Sequence, residues 1–416
     1  MKKPGIKIGI LSLGCPRNLT DSENILGRLN LKGYPVVDIS KADVAIVNTC
    51  AFIREAKEES IDAILDLIEL KKEGRLKKII VYGCLSQRYK NKLVKELPEI
   101  DAFIGKISLD YKHKRFPLAP RHYAYLKICE GCINNCSFCA IPKIKGKFTS
   151  LSEESILKEA GEFNRQALSE INIIGQDITG YGMDTKGAPG LCGLLEKILR
   201  QVSNIGWIRL LYLYPSRVNR ELLQLIGRTP KICKYVDLPI QHISQRILKL
   251  MRRQTSREDI LGLLDRVRTA IPEVALRTSV IVGFPSETEK EFKELLKFIE
   301  ESRFERLGAF IYSREEGTSA YDLKKQVPHK EKVARFNMIM SLQQKISRQI
   351  NEGLQGKVMD VLIDRKDKDC YLGRTQYDAP EVDGLVYVRS NRELKEGEFA
   401  KVKITDTLEY DLVGEA

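Results

Sequence analysis

Residues 126–142 read Leu126-Lys-Ile-Cys129-Glu-Gly-Cys132-Ile-Asn-Asn-Cys136-Ser-Phe138-Cys139-Ala-Ile-Pro142. Cys132, Cys136 and Cys139 stand in a C-x3-C-x2-C spacing, so each thiolate could hold one iron of an iron–sulfur cube. The fourth iron would have no protein ligand in this segment, and an open metal position is where chemistry occurs. Cys129 widens the pattern to C-x2-C-x3-C-x2-C, which keeps zinc and a fully ligated cluster as competing readings. Zinc sites usually pair two short knuckles across a longer loop. Four ligands within residues 129–139 leave little chain to wrap a metal. Cys129 also follows the strand-like Tyr123-Ala-Tyr-Leu-Lys-Ile128, which suits a small buried residue before the turn. The open three-thiolate cluster is the favoured reading.

The 416 residues around this stretch are 43% hydrophobic. That length and composition predict a globular chain of about three domains. Met1-Lys-Lys-Pro-Gly-Ile-Lys-Ile8 lacks the apolar run of a signal peptide. No stretch approaches the roughly 18 uninterrupted apolar residues of a membrane span. The expectation is a cytoplasmic protein with no membrane partner. Ten cysteines in that setting are expected to be ligands or buried thiols, not disulfides. The net charge of +13 is uneven: residues 350–416 hold fifteen acidic and ten basic residues, a local −5, leaving +18 on the rest.

Upstream, one pattern occurs three times. Ile6-Lys-Ile-Gly-Ile-Leu11 leads to Cys15, Asp43-Val-Ala-Ile-Val47 to Cys50, and Lys78-Ile-Ile-Val-Tyr82 to Cys84. Helical stretches follow at 21–31, 54–72 and 86–96, the first with Asn18, Thr20 and Asp21 available as caps. Repeated strand–helix units predict a parallel sheet covered by helices. The cysteines are 35 and 34 residues apart, about one βα repeat. Each falls past the carboxyl end of a strand, the edge at which open α/β sheets bind ligands. Cys15, Cys50 and Cys84 are therefore expected to converge as a second three-cysteine metal site.

Downstream, strands are expected at 123–128, 170–175, 207–213, 234–238, 275–282 and 305–311. Helices are expected between them at 152–167, 191–202, 219–227, 244–270 with a break, and 287–301. Six βα units predict a partial (β/α)6 barrel, with its site at the carboxyl ends of the strands. Polar groups at strand ends include Gln176, Asp177, Gln241, His242 and Glu287, with Arg277 inside a strand. Such groups suit a cofactor with an amino-acid end, a ribose and a base. Glu287 serves equally well as a helix cap, and His242 is expected to be a core histidine. A helix at 330–350 precedes strands at 357–364, 369–375, 385–389, 399–405 and 408–412, which predict a small antiparallel β-barrel. It is expected to act as a docking module. Cys192, Cys233 and Cys370 read as structural. The expected domains are 1–118, 119–349 and 350–416, with a basic linker starting at Lys112.

With these motifs in place, the chain resembles the radical S-adenosylmethionine methylthiotransferases over essentially its whole length. The resemblance implies an N-terminal methylthiotransferase domain, a radical-SAM barrel and a C-terminal TRAM barrel. Two branches compete: one modifies tRNA adenosines (the MiaB type), the other an aspartate of the small-subunit ribosomal protein uS12. Gly14-Cys-Pro-Arg-Asn18, Asn48-Thr-Cys-Ala-Phe-Ile-Arg-Glu-Ala-Lys-Glu-Glu-Ser-Ile-Asp62 and Tyr312-Ser-Arg-Glu-Glu-Gly-Thr318 resemble the ribosomal branch. Cys129 and Arg314 depart from it, where serine and proline are common. The acidic C-terminal segment points the same way, since it would repel a tRNA backbone and attract a basic ribosomal protein.

The resemblance further implies two [4Fe-4S] clusters and S-adenosyl-L-methionine. The cluster on Cys132, Cys136 and Cys139 would bind that cofactor and make a radical. The cluster on Cys15, Cys50 and Cys84 would hold the sulfur that becomes the methylthio group. Phe138, Gln176, Asp177 and Arg277 are the expected cofactor-binding residues. Asn18, Asn48 and Thr49 either line the substrate pocket or serve as caps and turns. The implied partners are a basic ribosomal protein and an electron donor such as flavodoxin or ferredoxin, with tRNA disfavoured.

Overall fold

The computed structural model describes residues 5–106 and 114–416. Three of the expected strands open the chain as β1 (Ile8–Ser12), β2 (Val44–Thr49) and β3 (Lys78–Gly83), joined by an unexpected β4 (Ala102–Ile104). They form one parallel sheet in the order β1-β2-β3-β4. Helices α1 (Pro16–Leu31), α2 (Arg54–Lys72) and α3 (Cys84–Glu96) follow the first three strands. Two helix starts correct the sequence reading. Helix α1 begins at Pro16, not at residue 21, and Cys15 is its N-cap residue. Proline suits that first position because its fixed φ is helical and its missing N–H is not needed there. Asn18, Thr20 and Asp21 are thus buried helical residues, not caps. Helix α3 begins at Cys84 itself.

The six barrel strands are present. They are β5 (Tyr123–Lys127), then, after a short pair β6 (Cys129–Glu130) and β7 (Thr149–Ser150), β8 (Glu170–Ile174), β9 (Trp207–Leu210), β10 (Tyr235–Gln241), β11 (Ala275–Val282) and β12 (Arg306–Ile311). They form two parallel three-stranded sheets, β5-β8-β9 and β10-β11-β12. A bridge between Ile208 and Ile232 and the Leu213 N–H donating to the Asp237 carbonyl join the halves. The cysteine loop leaves the carboxyl end of β5, at the mouth.

Helix His329–Glu352 carries the chain past the expected boundary at 350 into a closed barrel. Its strands are β13 (Val358–Asp367), β14 (Cys370–Thr375), β15 (Val386–Arg389), β16 (Phe399–Thr407) and β17 (Leu412–Glu415), in the order β13-β14-β15-β17-β16. Four of its five pairings are antiparallel; β15 and β17 run parallel.

The outer domains cover opposite ends of the central barrel. The segment after β14 meets the amino ends of the barrel strands. Glu170 lies between Arg209 and Arg374, at 2.8 Å from each. Arg306 pairs with Asp378, the Tyr235 hydroxyl donates to Asp383, and Tyr123 donates to Glu381. Asp364 takes Arg374 and His122. The acidic excess read from the sequence is therefore partly spent inside. Setting aside these four carboxylates and Arg374, residues 350–416 keep eleven acidic and nine basic residues, a net of −2. The charge left to attract a basic partner is correspondingly small.

The first domain sits on the barrel mouth. Glu315, which is 2% exposed, takes both Lys57 and Arg88 at 2.8 Å, and the Glu316 carbonyl accepts from Arg88. Residues 112 and 113 of the expected linker lie outside the described residues. Arg115 is not loose: it pairs with Glu23 and Glu159 and donates to the Tyr125 carbonyl. No described helix is long and apolar enough to cross a membrane.

Candidate active site

Loop packing brings the first cysteine set together. Gly14 has φ +85°, and a Cβ there would lie 2.6 Å from the Cys50 Cβ and 3.0 Å from its Sγ. Only glycine permits both that backbone and that approach. Gly83 (φ +103°), just before Cys84, is likewise pressed on Asn48 and Thr49. Asn18 ties the loops by donating to the carbonyls of Leu13 and Thr49, at 3.0 and 3.1 Å, and the Cys84 thiol points at its Oδ1. Asn48 donates to the Asn18 carbonyl and to Ser22, and Thr49 to the Tyr82 carbonyl. These three residues are buried, and they position the cysteines from behind.

Electrostatics couples the thiols within each set. Burial pushes Cys84 up to about 12, with Cys15 and Cys50 adding to it against Lys145. Burial and Cys15 raise Cys50. At Cys15 burial also raises, but the adjacent Arg17 guanidinium outweighs it and holds that thiol below its ordinary value. In the second set, burial pushes Cys139 up to about 12, and Cys136 and Cys132 both contribute. Burial and the Cys136 thiol raise Cys132 as well.

Two sets of three thiols, with no histidine among them, are a donor chemistry that suits iron–sulfur clusters, which distribute their thiolate ligands over separate irons. A cationic centre would also offset the cost of ionising several buried thiols together. Cys129 is fully buried in the barrel core, its Sγ 3.6 Å from the Asp177 carbonyl.

The mouth residues fall into distinct roles. Both amide atoms of Gln176 are shielded and lack a partner among the described residues, which is what a residue awaiting a polar ligand looks like. Asp177 is already committed: its carboxylate takes Asn134 at 2.7 Å, Arg217 at 2.6 Å and both Thr179 donors. Asn134 in turn reaches the Cys132 Sγ at 3.5 Å. Asp177 therefore braces the cysteine loop. Arg277 is third in β11, away from its carboxyl end, and is held by Asp237 and Asp383 at 3.3 Å. That is a correction: its fork is used between the barrel and the third domain, because it lies below the mouth. Phe138 packs with Met251, Phe284 and Tyr312. Glu287 accepts from the Gly283 and Phe284 N–H groups and pairs with buried Arg335, while Thr288 is the helix cap.

His242 is fully buried, and its Nδ1 accepts from the Ser244 N–H at 2.9 Å. Burial lowers its pKa to about 3. The folded state thus keeps it neutral, while the unfolded chain takes up a proton below about pH 6.5. Stability is lost as pH falls from about 6.5 toward 3, at about 1.4 kcal/mol per unit. Urea unfolding of His242→Gln is expected to show a pH 7 to pH 5 loss smaller by about 2 kcal/mol than in the parent chain.

Other site residues escaped the sequence reading. Lys127, Lys145, Asp21 and Glu130 form a buried ion cluster between α1 and the cysteine loop, with Lys127 2.5 Å from both carboxylates. Lys127 and Glu130 flank a strand end leading into the cysteines, and charge at such a buried position was the available signal. Arg253 stacks on Tyr214, reaches the Cys136 Sγ at 3.7 Å and leaves its Nε without a partner among the described residues. Arg17 spans the gap between the domains, donating to the Gly175 carbonyl at 2.7 Å.

One thiol triad at the carboxyl edge of a parallel sheet, facing another at the mouth of a six-stranded partial barrel, defines a radical S-adenosylmethionine enzyme with a second cysteine site. Residues 7–105 match the family described as "Uncharacterized protein family UPF0004", 126–299 the "Radical SAM superfamily", and 356–416 the "TRAM domain". Among solved structures, the radical S-adenosylmethionine methyltransferase TsrM from Kitasatospora setae aligns with a TM-score of 0.54. It is 13% identical, covering 88% of this chain and 80% of that one, a likeness of fold alone. "Ribosomal protein uS12 methylthiotransferase RimO" of Clostridioides difficile (strain 630) is 46% identical, covering 99% of this chain and 98% of that protein. The protein of the same name from Caldanaerobacter subterraneus subsp. tengcongensis is 47% identical, covering 98% and 99%. The chain belongs to the RimO family of methylthiotransferases.

Proposed function

We propose that this protein adds a methylthio group to the β-carbon of an aspartate in ribosomal protein uS12. The observation that carries this reading is the near-full-length identity of 44–47% to proteins named for that reaction. Cys132, Cys136 and Cys139 hold one [4Fe-4S] cluster, and Cys15, Cys50 and Cys84 hold a second. S-adenosyl-L-methionine binds at the barrel mouth. When bound, these groups supply one-electron radical chemistry and the sulfur, which a C–H bond inaccessible to acid–base catalysis requires.

The chain's own residues do the rest. Asp177, Asn134 and Arg217 fix the Cys132 loop by mutual hydrogen bonds. Gln176 offers its unpaired amide to the cofactor, and Arg253 offers a cation beside Cys136. Phe138 shields the last cysteine. Asn18, Asn48 and Thr49 hold the second set, and the first domain closes the mouth against water. The functional units follow the expected division at residue 118, while the helix His329–Glu352 moves the second boundary from 350 to the segment before Val358. The electron comes from an external donor such as flavodoxin or ferredoxin, in the cytoplasm.

Purified uS12, incubated with the reconstituted enzyme, S-adenosylmethionine and a reductant, is expected to gain the mass of one methylthio group in place of one hydrogen. A gain on tRNA with none on uS12 would transfer the assignment to the tRNA-modifying branch.

A further inference from the structure

Arg17 belongs to the first domain but works in the space between the two cysteine sets. It is the second residue of α1, directly after the Cys15-Pro16 step. Its Nη1 donates to the Gly175 carbonyl at the end of β8, at 2.7 Å, and its guanidinium lies 4.4 Å over the Tyr212 ring beyond β9. Its charge is felt by Cys15 of one set and Cys139 of the other. Tyr212 itself has φ +66°, held there by its N–H donating to Asp237 at 2.9 Å. A bulky residue in that region is costly and is retained where surrounding structure demands it, commonly at functional sites.

What Arg17 lacks is a carboxylate. Several arginines with buried side chains have carboxylate partners: Arg88 has Glu315, Arg115 has Glu23, Arg209 has Glu170, Arg306 has Asp378 and Arg335 has Glu287. Among the described residues no acidic side chain lies within ion-pair distance of Arg17; its guanidinium is engaged by the Gly175 carbonyl and by the Cys15 thiol, which leaves the remaining N–H groups of the fork for a ligand. Stacking on Tyr212 and the Gly175 bond hold the guanidinium plane in a fixed orientation. A preset guanidinium with free donors is the best side-chain receptor for a carboxylate.

We propose that Arg17 is a specificity-determining residue that binds the carboxylate of the target aspartate and so places its β-carbon between the two cysteine sets. This rests on the proposed reaction on uS12. It also explains why the cation comes from the first domain. The barrel side has its own unmatched cation, Arg253, beside Cys136, which suits the amino-acid end of S-adenosylmethionine.

The test uses the full chain with both clusters reconstituted. With reductant and S-adenosylmethionine, the parent enzyme must first modify uS12; failure there overturns the proposed reaction itself. Binding is then measured without reductant, by fluorescence anisotropy, for uS12 and for uS12 whose target aspartate is asparagine. The parent enzyme is expected to prefer the aspartate form by about tenfold or more, the range of a charge-assisted pair. Arg17→Gln is expected to bind both forms alike, Arg17→Lys to keep part of the preference, and Arg253→Gln to keep all of it while weakening S-adenosylmethionine binding. Unchanged discrimination in Arg17→Gln overturns the inference. So does a loss confined to S-adenosylmethionine affinity, or a loss of iron with equal weakening of both uS12 forms, which would assign Arg17 to the cofactor or to the Cys15 site.

Discussion

Replacing Cys15, Cys50 and Cys84 together by alanine is expected to lower iron from about eight to about four per chain and to abolish methylthio transfer, while methionine release from S-adenosylmethionine continues. Replacing Cys132, Cys136 and Cys139 should produce the same fall in iron and lose both reactions. The asymmetry follows from position. The second set stands at the barrel mouth with Asn134 and Arg253 beside it and Gln176 next to the Asp177 that holds Asn134, where the proposed function puts the cofactor. The first set lies across the gap, on loops held by Asn18 and Asn48. Iron analysis and mass spectrometry of product on the two triple variants check the prediction. A chain that retains about four irons and full transfer without the first set would remove the second cluster from the mechanism. Zinc in place of iron after anaerobic purification would contradict the reading of either set.

Asp21→Asn is expected to destabilise the protein by about 3–5 kcal/mol, the range for breaking a buried ion cluster from one side. Asp21 is 3% exposed and takes Lys127 at 2.5 Å and Lys145 at 3.2 Å. Without it, the buried ammonium groups of Lys127 and Lys145 both lose a carboxylate partner, and Glu130 remains beside them. The cluster joins α1 of the first domain to the barrel, so the loss should also reduce methylthio transfer with iron content preserved. Lys145→Met in the same chain should recover part of the stability, because the excess cation is then gone. Burial raises the Asp21 carboxyl, but Lys127 and Lys145 outweigh it and bring it below the usual range. Its stabilisation is therefore present above about pH 4 and lost as pH falls further. Urea midpoints of the single and double variants, compared at pH 7, give the coupling.

Both predictions rest on features that differ in how far the sequence announces them. The positions of the six cysteines, three just past strand ends and three within one tight loop, were legible because spacing is a property of sequence. The strands and helices were legible through hydrophobic periodicity, with helix starts the weakest point. The start of α1 was misplaced because Asn18, Thr20 and Asp21 are residues that commonly cap helices. Here they are polar for the site's sake: Asn18 bonds two loops, and Asp21 bonds two lysines of another domain. Arg277 was misassigned because a strand residue's height along the barrel does not follow from its identity. The acidic C-terminal segment was read as a surface, yet Asp364, Asp378, Glu381 and Asp383 meet partners on or beside the barrel strands.

The sequence by itself determined the three-part architecture, the spacing of the two cysteine triads and the place of Cys129 as a buried residue that follows a strand. These depend on short-range spacing and periodicity, which act within one element or one repeat. Tertiary structure alone decided which surfaces face each other: the first domain over the barrel mouth, the third against the opposite end, and Arg17 across the gap, with no carboxylate among the described residues to pair it. Those facts depend on contacts between residues as far apart as Arg17 and Gly175, or Arg88 and Glu315. No local pattern encodes such pairings, because a charged side chain carries the same sequence signature whether it meets water, an ion partner or a substrate.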